Sequence, residues 1–178
     1  QYVLKLLEAM CTERVGSNAT SYSAAISACE KGKRWELALH LLEECKASAV
    51  PDTITYSAAI SACEKGAQWE QALKLLVAMC TERVWPDTTS YSAAISACEK
   101  GKRWELALHL LEECKAWAAP DTITYSAAIS ACEKGAQWEH ALKLLVAMCT
   151  ERVWPDTTSC SAAISACEKG KRWELALH

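Results

Sequence analysis

The ten residues SAAISACEKG at positions 23–32 recur without change at positions 57–66, 92–101, 126–135 and 161–170. The residue before each copy is Tyr22, Tyr56, Tyr91, Tyr125 or Cys160, at intervals of 34, 35, 34 and 35 residues. A regular period of this length is typical of tandem-repeat proteins, in which each repeat is one supersecondary unit. The period therefore indicates the fold class before any single residue is considered.

Two repeats together form a longer unit. Residues 22–90 and 91–159 differ at only three positions, namely Ser48/Trp117, Val50/Ala119 and Gln71/His140. We interpret residues 1–178 as one array, with a half-repeat 1–21, repeats 22–55, 56–90, 91–124 and 125–159, and a partial repeat 160–178. Because the sequence opens without Met and stops within a helical pattern, we expect it to be a fragment of a longer chain.

Each repeat contains two predicted helices. Asp52 follows Pro51 and is a candidate N-cap, and the apolar residues after it recur at i, i+3, i+4 and i+7, which predicts an amphipathic first helix. Gly66 is expected to end that helix as a left-handed C-cap. The spacing after Trp69 predicts a second helix, with the tryptophan as a spacer between the two helices.

One such pair cannot bury its own apolar faces, but stacked copies can. The sequence therefore predicts an all-α fold, an α-solenoid of tandem 34/35-residue helix-turn-helix repeats in a right-handed superhelix.

Composition excludes several kinds of site. The formal net charge is −3, so no global basic field attracts nucleic acid. Apolar runs are too short for membrane insertion. Eleven cysteines include no C-x-x-C pair, and we expect those of the first helices to be buried free thiols, with the ones near second-helix ends partly exposed. The histidines are expected on solvated helix faces. Because every reactive group recurs with the repeat, no catalysis, metal or cofactor is expected.

The repeat resembles the pentatricopeptide repeat over essentially the whole chain. The shared features are a tyrosine early in the first helix, isoleucine four residues later, Lys-Gly at the helix end, W-E-x-A-L-x-L-L-x-x-M at residues 69–79, and a closing Pro-Asp. The tetratricopeptide repeat has a similar period but carries its Trp and Leu-Gly in the first helix.

The resemblance implies a function, since members of that family bind single-stranded RNA in plastids or mitochondria, along a concave face, one base per repeat. The residue after the tyrosine and the last residue of the repeat together read the base edge. These pairs are Ser23 with Asp52, Ser57 with Asp87, Ser92 with Asp121 and Ser126 with Asp156. A hydroxyl paired with Asp resembles the family's guanine-preferring combination, and a carboxylate can accept from a base N–H.

The resemblance also implies a wedge residue between stacked bases, two residues before the tyrosine. It is Ile54 or Ile123 in two repeats, and the smaller Thr20, Thr89 or Thr158 in the others. The implied phosphate-facing lysines are Lys31, Lys65, Lys100, Lys134 and Lys169. A glutamate precedes each lysine, and such carboxylates work against the counterion release that drives phosphate binding.

A second hypothesis is a structural or adaptor solenoid, docked on an organellar assembly such as a ribosome or a photosynthetic or respiratory complex. Near-identical repeats suit a scaffold as well as they suit a homopolymer tract. Three tryptophans lie at repeat ends, either as caps over the core or as an exposed row for a protein partner, and they are Trp85, Trp117 and Trp154.

Overall fold

The computed structural model describes residues 19–171, which form nine α-helices and no strand. The helices are α1 Ala19–Lys31, α2 Trp35–Ser48, α3 Thr53–Lys65, α4 Trp69–Thr81, α5 Thr88–Lys100, α6 Trp104–Trp117, α7 Thr122–Lys134, α8 Trp138–Thr150 and α9 Thr157–Lys169. Odd-numbered helices are the first helices of repeats and even-numbered helices the second. The half-repeat 1–21 lies mostly outside the described residues.

Contacts divide the chain into two compact units, Gln1–Pro86 and Asp87–His178, with the boundary inside a Pro-Asp pair. In the first unit α1 and α3 pack against each other, and α2 packs against both. In the second unit α7 packs between α5 and α9, while α6 and α8 each contact the first helix of their own repeat and that of the next. Each unit therefore contains the repeat-to-repeat packing that one helical pair lacks.

An aspartate caps the first helices. The Oδ1 atom of Asp52 accepts from the backbone N–H of Thr55 at 2.8 Å, which satisfies one of the free donors at the start of α3. Asp87, Asp121 and Asp156 cap α5, α7 and α9 in the same way. The N-caps expected from the Pro-Asp pairs are confirmed.

The helix-ending glycines differ from the expectation. Gly66 has φ −82°, and the left-handed residue is the next one, Ala67, at φ 56°. The Gln68 N–H donates to the carbonyl of Cys63 and the Ala67 N–H to that of Glu64, which is a Schellman motif with alanine at C′. The expected left-handed glycine was therefore wrong by one residue.

Close packing explains why glycine occurs here. A Cβ on Gly66 would lie 2.4 Å from Cδ1 of Trp35, which opens the second helix of the preceding repeat. Gly135 approaches Trp104 with the same 2.4 Å value. The tryptophan therefore contacts the following repeat, a contact that its expected role as a spacer within one repeat did not include.

The core follows the predicted stripe of the first helices. In α3, Tyr56, Ile60 and Cys63 are all fully buried. Burial raises the pKa of Cys98 to about 11 and that of Cys132 to about 12. Cys45 and Cys114 are also buried, contrary to the expected partial exposure, whereas Cys80, Cys149 and Cys160 are exposed.

Two histidines lie on solvated faces as expected. His40 and His109 are exposed and lie 3.6 and 3.5 Å from a glutamate one turn later. His140 does not, since it is half-buried with its ring 5.4 Å from that of Trp104. Within residues 19–171, no helix is long and apolar enough to cross a membrane, and no three His, Cys, Asp or Glu side chains are grouped as metal ligands.

Candidate functional site

The first helices carry the predicted wedge residues at their second position. Ile54 in α3 is 66% exposed and Ile123 in α7 is 65% exposed. Because about two thirds of each side chain is exposed, these isoleucines contribute little to the core and are available to a ligand. The threonines at the equivalent place in the other repeats, Thr20, Thr89 and Thr158, are exposed as well.

The predicted pair Ser126 and Asp156 is brought together. Ser126 Oγ lies 3.1 Å from Asp156 Oδ1 and 2.7 Å from Ser159 Oγ. It also lies 2.7 Å from the carbonyl of Thr122. The Ser159 hydroxyl and backbone N–H, which bind the carboxylate, are the main causes that lower the pKa of Asp156, so it carries its charge.

The other predicted serines differ in exposure. Ser57 is buried like Ser126, with 6% and 7% of their surface exposed, and its hydroxyl lies 2.7 Å from the carbonyl of Thr53. Ser23 and Ser92 are half-buried and donate to the carbonyls of Thr20 and Thr89 at 2.9 and 3.0 Å. All four predicted aspartates are exposed, and they are Asp52, Asp87, Asp121 and Asp156.

A shallow groove of about 310 Å³ lies where α7 and α9 run side by side. Its polar lining is Glu133 and the hydroxyls of Ser130, Thr157, Thr158, Ser161 and Ser165. Hydroxyls donate and accept, so such a groove can pair with the edge of any base. Sequence reasoning missed Ser130 and Ser165. Ser130 lies four residues after the predicted Ser126 and therefore on the same helix face, and Ser165 lies four residues after Ser161, which occupies the equivalent position in α9.

The predicted phosphate-facing lysines are all exposed, and Lys65, Lys134 and Lys169 form ion pairs with glutamates. Lys134 Nζ lies 2.8 Å from Glu99 Oε1, and Lys169 Nζ lies 2.7 Å from Glu133 Oε1, each glutamate belonging to the preceding repeat. Lys65 lies 3.1 Å from its neighbour Glu64. Lys31 and Lys100 are exposed too. The glutamates thus reduce the positive charge available to phosphates, both by pairing with a lysine of the following repeat and by lying beside the lysine of their own repeat.

The three repeat-end tryptophans are exposed, at 66% for Trp85, 71% for Trp117 and 81% for Trp154. The loop before the Pro-Asp pair that follows α4 or α8 is bound by the first residue of α3 or α7, respectively. Thr53 Oγ1 donates to the carbonyl of Trp85 at 3.4 Å, and Thr122 Oγ1 donates to that of Trp154 at 3.2 Å. Trp85 and Trp154 therefore lie on loops that are bound to the first turns carrying Ile54 and Ile123. Because all three tryptophans are exposed, they are not caps over the core.

A buried tyrosine joins two repeats, which sequence reasoning missed. The Tyr125 hydroxyl donates to Glu151 Oε2 at 2.5 Å, and Lys115 Nζ lies 5.5 Å from the ring centroid and 3.4 Å from Glu151 Oε1. Burial, followed by the Glu151 carboxylate, raises the pKa of Tyr125 to about 12. In the first unit Lys46 likewise lies over the Tyr56 ring and pairs with Glu82, but the buried Tyr56 hydroxyl makes no hydrogen bond within residues 19–171. The cluster joins the second helix of one repeat to the following repeat, which is a structural role.

A family model described as "PPR repeat" matches residues 20–49, 54–84, 89–117 and 123–153. A search of curated proteins finds no match. Among solved structures, the maize pentatricopeptide repeat protein PPR10 matches with a TM-score of 0.78 and 21% identity, covering 96% of this chain and 25% of that one.

Two structures with RNA also match. PPR10 in complex with an 18-nt psaJ RNA element gives a TM-score of 0.75 and 25% identity, with 89% of this chain and 23% of that chain covered. The PPR domain of Arabidopsis thaliana protein-only RNase P 1, in complex with tRNA, gives 0.73 and 16%, with 85% and 83% covered. The chain spans about a quarter of the length of PPR10. The expected all-α tandem-repeat fold is confirmed, and because the family model covers well over half of it, this chain belongs to the pentatricopeptide repeat family.

Proposed function

We propose that this chain binds single-stranded RNA non-covalently along its first helices, one base per repeat, without catalysis. The observation that carries the proposal is the second unit's row of exposed Ile123, the bonded pair Ser126–Asp156 and the adjoining hydroxyl-lined groove. Two structural neighbours, of the same fold, were solved with an RNA element and with tRNA. The plastid or mitochondrial location is proposed on the family resemblance alone.

The chemistry favours guanine. Oδ1 of Asp156 is occupied by Ser159 and Ser126, which leaves Oδ2 to accept from a ligand. Guanine presents two adjacent N–H donors on its Watson–Crick edge, which a carboxylate matches better than the edge of any other base. All complete repeats carry Ser with Asp, so a G-rich strand is the proposed target.

The test is a titration of fluorescent G-rich, oligo-A and oligo-U RNAs at two salt concentrations. We expect micromolar or tighter binding that prefers the G-rich strand and weakens with salt. The matched variant changes Asp52, Asp87, Asp121 and Asp156 to Asn, which caps helices as well as Asp does and so preserves the fold. An amide donates as well as accepts and complements adenine, so preference should move from G towards A.

Two outcomes would contradict the proposal in different ways. An unchanged base preference in the four-Asn variant would show that the reader assignment is wrong. The absence of salt-sensitive binding to any strand by the parent chain would overturn RNA binding itself.

The second candidate function is an adaptor docked on an organellar protein assembly through the exposed tryptophans. Trp117 favours it, since it is 71% exposed and replaces Ser48 of the preceding unit, a change that the helical repeat does not require. The paired Lys134 and Lys169 also reduce the positive charge offered to RNA. The adaptor would co-purify with a protein complex after nuclease treatment, and Trp117→Ala would release it.

A further inference from the structure

We propose that Trp85 and Trp154 stack on nucleobases and, with Ile54 and Ile123, form an apolar clamp on every second nucleotide of the bound strand. The inference rests on the proposed RNA binding and adds residues that the readers, wedges and lysines do not include. We call each Ile–Trp combination a clamp pair. There is one in each unit.

The first clamp pair is held by the backbone of the first unit. Thr53 begins α3, and its hydroxyl donates to the carbonyl of Trp85, while the next residue, Ile54, projects from the same turn. Both apolar side chains are 66% exposed. Most of the surface of both side chains is therefore accessible to a ligand.

The second clamp pair reproduces the first. Thr122 binds the carbonyl of Trp154, Ile123 is 65% exposed, and Trp154 is 81% exposed. Asp156, the predicted reader, follows Trp154 by two residues and is bonded to Ser126. The backbone therefore brings the loop of Trp154 to the turn that carries Ile123 and places the reader Asp156 two residues further along the chain. An aromatic face, an aliphatic wedge and a polar reader are the set of groups that a single base uses.

The repeat between the two clamp pairs, which begins with α5, keeps the backbone contact but lacks the apolar groups. Thr88 Oγ1 donates to the carbonyl of Ala119 at 3.0 Å, so the loop is held in the same place. There the wedge is Thr89 and the residue before proline is alanine. Because the geometry is unchanged and only the side chains alternate, the clamp recurs once per two repeats, and so once per two nucleotides.

The chemistry of the edge favours a base over a protein side chain. Base–aromatic stacking contributes without sequence preference, since every base has a π-face. Stacking also adds affinity on a surface where Lys134 and Lys169 are already paired with Glu99 and Glu133. Trp117 is different, since it ends α6 rather than preceding a Pro-Asp and has no wedge isoleucine on its loop. It is the matched control.

The experiment compares three forms of the chain, namely the parent, the double variant Trp85→Ala/Trp154→Ala, and Trp117→Ala, on one G-rich RNA. We expect the double variant to weaken binding by at least about tenfold, since stacking is worth ~1–3 kcal/mol per base, and Trp117→Ala to bind like the parent. Trp85→Phe/Trp154→Phe should restore most of the affinity because phenylalanine keeps a stacking face.

A second measurement tests the two-nucleotide step. A series of RNAs with one abasic site moved along the strand should show losses that alternate between large and small with a period of two in the parent chain. The alternation should disappear in the double alanine variant. Far-UV circular dichroism should be identical for all forms, since the changed side chains are exposed.

The outcomes separate this inference from the function on which it rests. If the parent shows salt-sensitive RNA binding that the double alanine variant retains in full, the clamp is wrong and RNA binding stands. If the double variant instead loses a nuclease-resistant protein partner, these tryptophans form a protein-docking surface and the clamp is overturned. If the parent binds no RNA, the proposed function fails first.

Discussion

The first helices fall into two kinds that share the same ten letters, and their surroundings differ. We call repeats that begin with α3 or α7 Ile-type, and those that begin with α1, α5 or α9 Thr-type. The serine that opens SAAISACEKG is buried in the Ile-type repeats, at Ser57 and Ser126, and half-buried at Ser23 and Ser92 of the Thr-type. An identical sequence is therefore not an identical site.

The second helix of the preceding repeat accounts for one part of the difference. Lys115 of α6 lies over Tyr125 of the Ile-type α7 and pairs with Glu151. The residue equivalent to Lys115 in α8 is Cys149, and the residue equivalent to the tyrosine in the Thr-type α9 is Cys160, both exposed. Each repeat thus sets the environment of the repeat that follows it, which single-repeat reasoning does not capture.

The largest expected effect is unfolding at alkaline pH, because buried groups that lose a proton there lie in the cores of both Ile-type and Thr-type repeats. The pKa values of Cys98 and Cys132 are raised from 9.0 to about 11 and about 12, and that of Tyr125 from 10.0 to about 12. Because the fold favours the neutral forms, their stabilisation is complete below pH 9 and is lost as the pH rises through 11–12. Melting temperatures measured from pH 8 to 12 should fall steeply at the upper end.

Two variants identify which groups cause the loss of stability at alkaline pH. Cys149→Ser, at an exposed thiol, should leave the pH profile unchanged, whereas Tyr125→Phe should remove the tyrosine's share of the decline above pH 10 and lower stability near neutrality. A melting temperature that stays constant to pH 12 in the parent chain would contradict the burial of these groups.

The next-largest effect concerns the glycine at the end of the first helix, which Ile-type and Thr-type repeats share. Gly135→Ala would put a Cβ 2.4 Å from Cδ1 of Trp104, so we expect a loss of about 1–3 kcal/mol in the free energy of unfolding. Gly32→Ala is the control, since its nearest atom would be 3.5 Å away. Urea denaturation measures both. Equal losses at the two glycines would mean that helix-end geometry, and not the tryptophan, selects glycine.

A smaller effect is expected from substitutions that give Ile-type repeats the wedge residue of Thr-type repeats. Ile54→Thr/Ile123→Thr removes exposed apolar surface, so stability should change by less than about 0.5 kcal/mol, while RNA affinity should fall roughly tenfold for two sites that each lose about one CH₂ equivalent. Thr89→Ile should move affinity in the opposite direction. Fluorescence anisotropy at fixed salt measures both, and an unchanged affinity in all variants would remove the wedge from the site.

The smallest expected effect concerns the paired lysines. Glu99→Gln/Glu133→Gln releases Lys134 and Lys169, so RNA should bind a few-fold more tightly at low salt, and the slope of log K against log salt should steepen by about 0.7 per lysine. Glu113→Gln, which removes a charge from a second helix, is the control. If control and double variant strengthen binding equally, net charge rather than pairing is responsible.

Much of the fold was predictable because each sequence pattern occurs in every copy of the repeat. Helix type, capping by Asp52 and the buried Cys63 follow from period and spacing, which read the same in each copy. The left-handed conformation of Ala67 in the Schellman motif could not be predicted in this way. Glycine is usual at that position, but here the close approach of Trp35 places the glycine one residue earlier, at Gly66. That contact joins residues of different repeats and leaves no local pattern.

In the candidate site, the exposure of Ile54 and the capping role of Asp156 could be predicted, whereas the Lys134–Glu99 and Lys169–Glu133 pairs could not. The sequence places each glutamate beside the lysine of its own repeat, and it was the stacking distance that brought the lysine to the neighbour's glutamate instead. The burial of Ser126 likewise depends on Ser159 of the next helix.

Four aspartates lie between the second helix of one repeat and the first helix of the next, which they cap, and they are Asp52, Asp87, Asp121 and Asp156. Any ligand preference carried by that residue is therefore limited to side chains that also cap a helix, chiefly Asp, Asn, Ser and Thr. The choice of residue at this position is small, because any other side chain would leave a backbone N–H of the following first turn without its acceptor, at a cost of about 0.5–2 kcal/mol. Evolution of a new preference must proceed through substitutions that folding already permits.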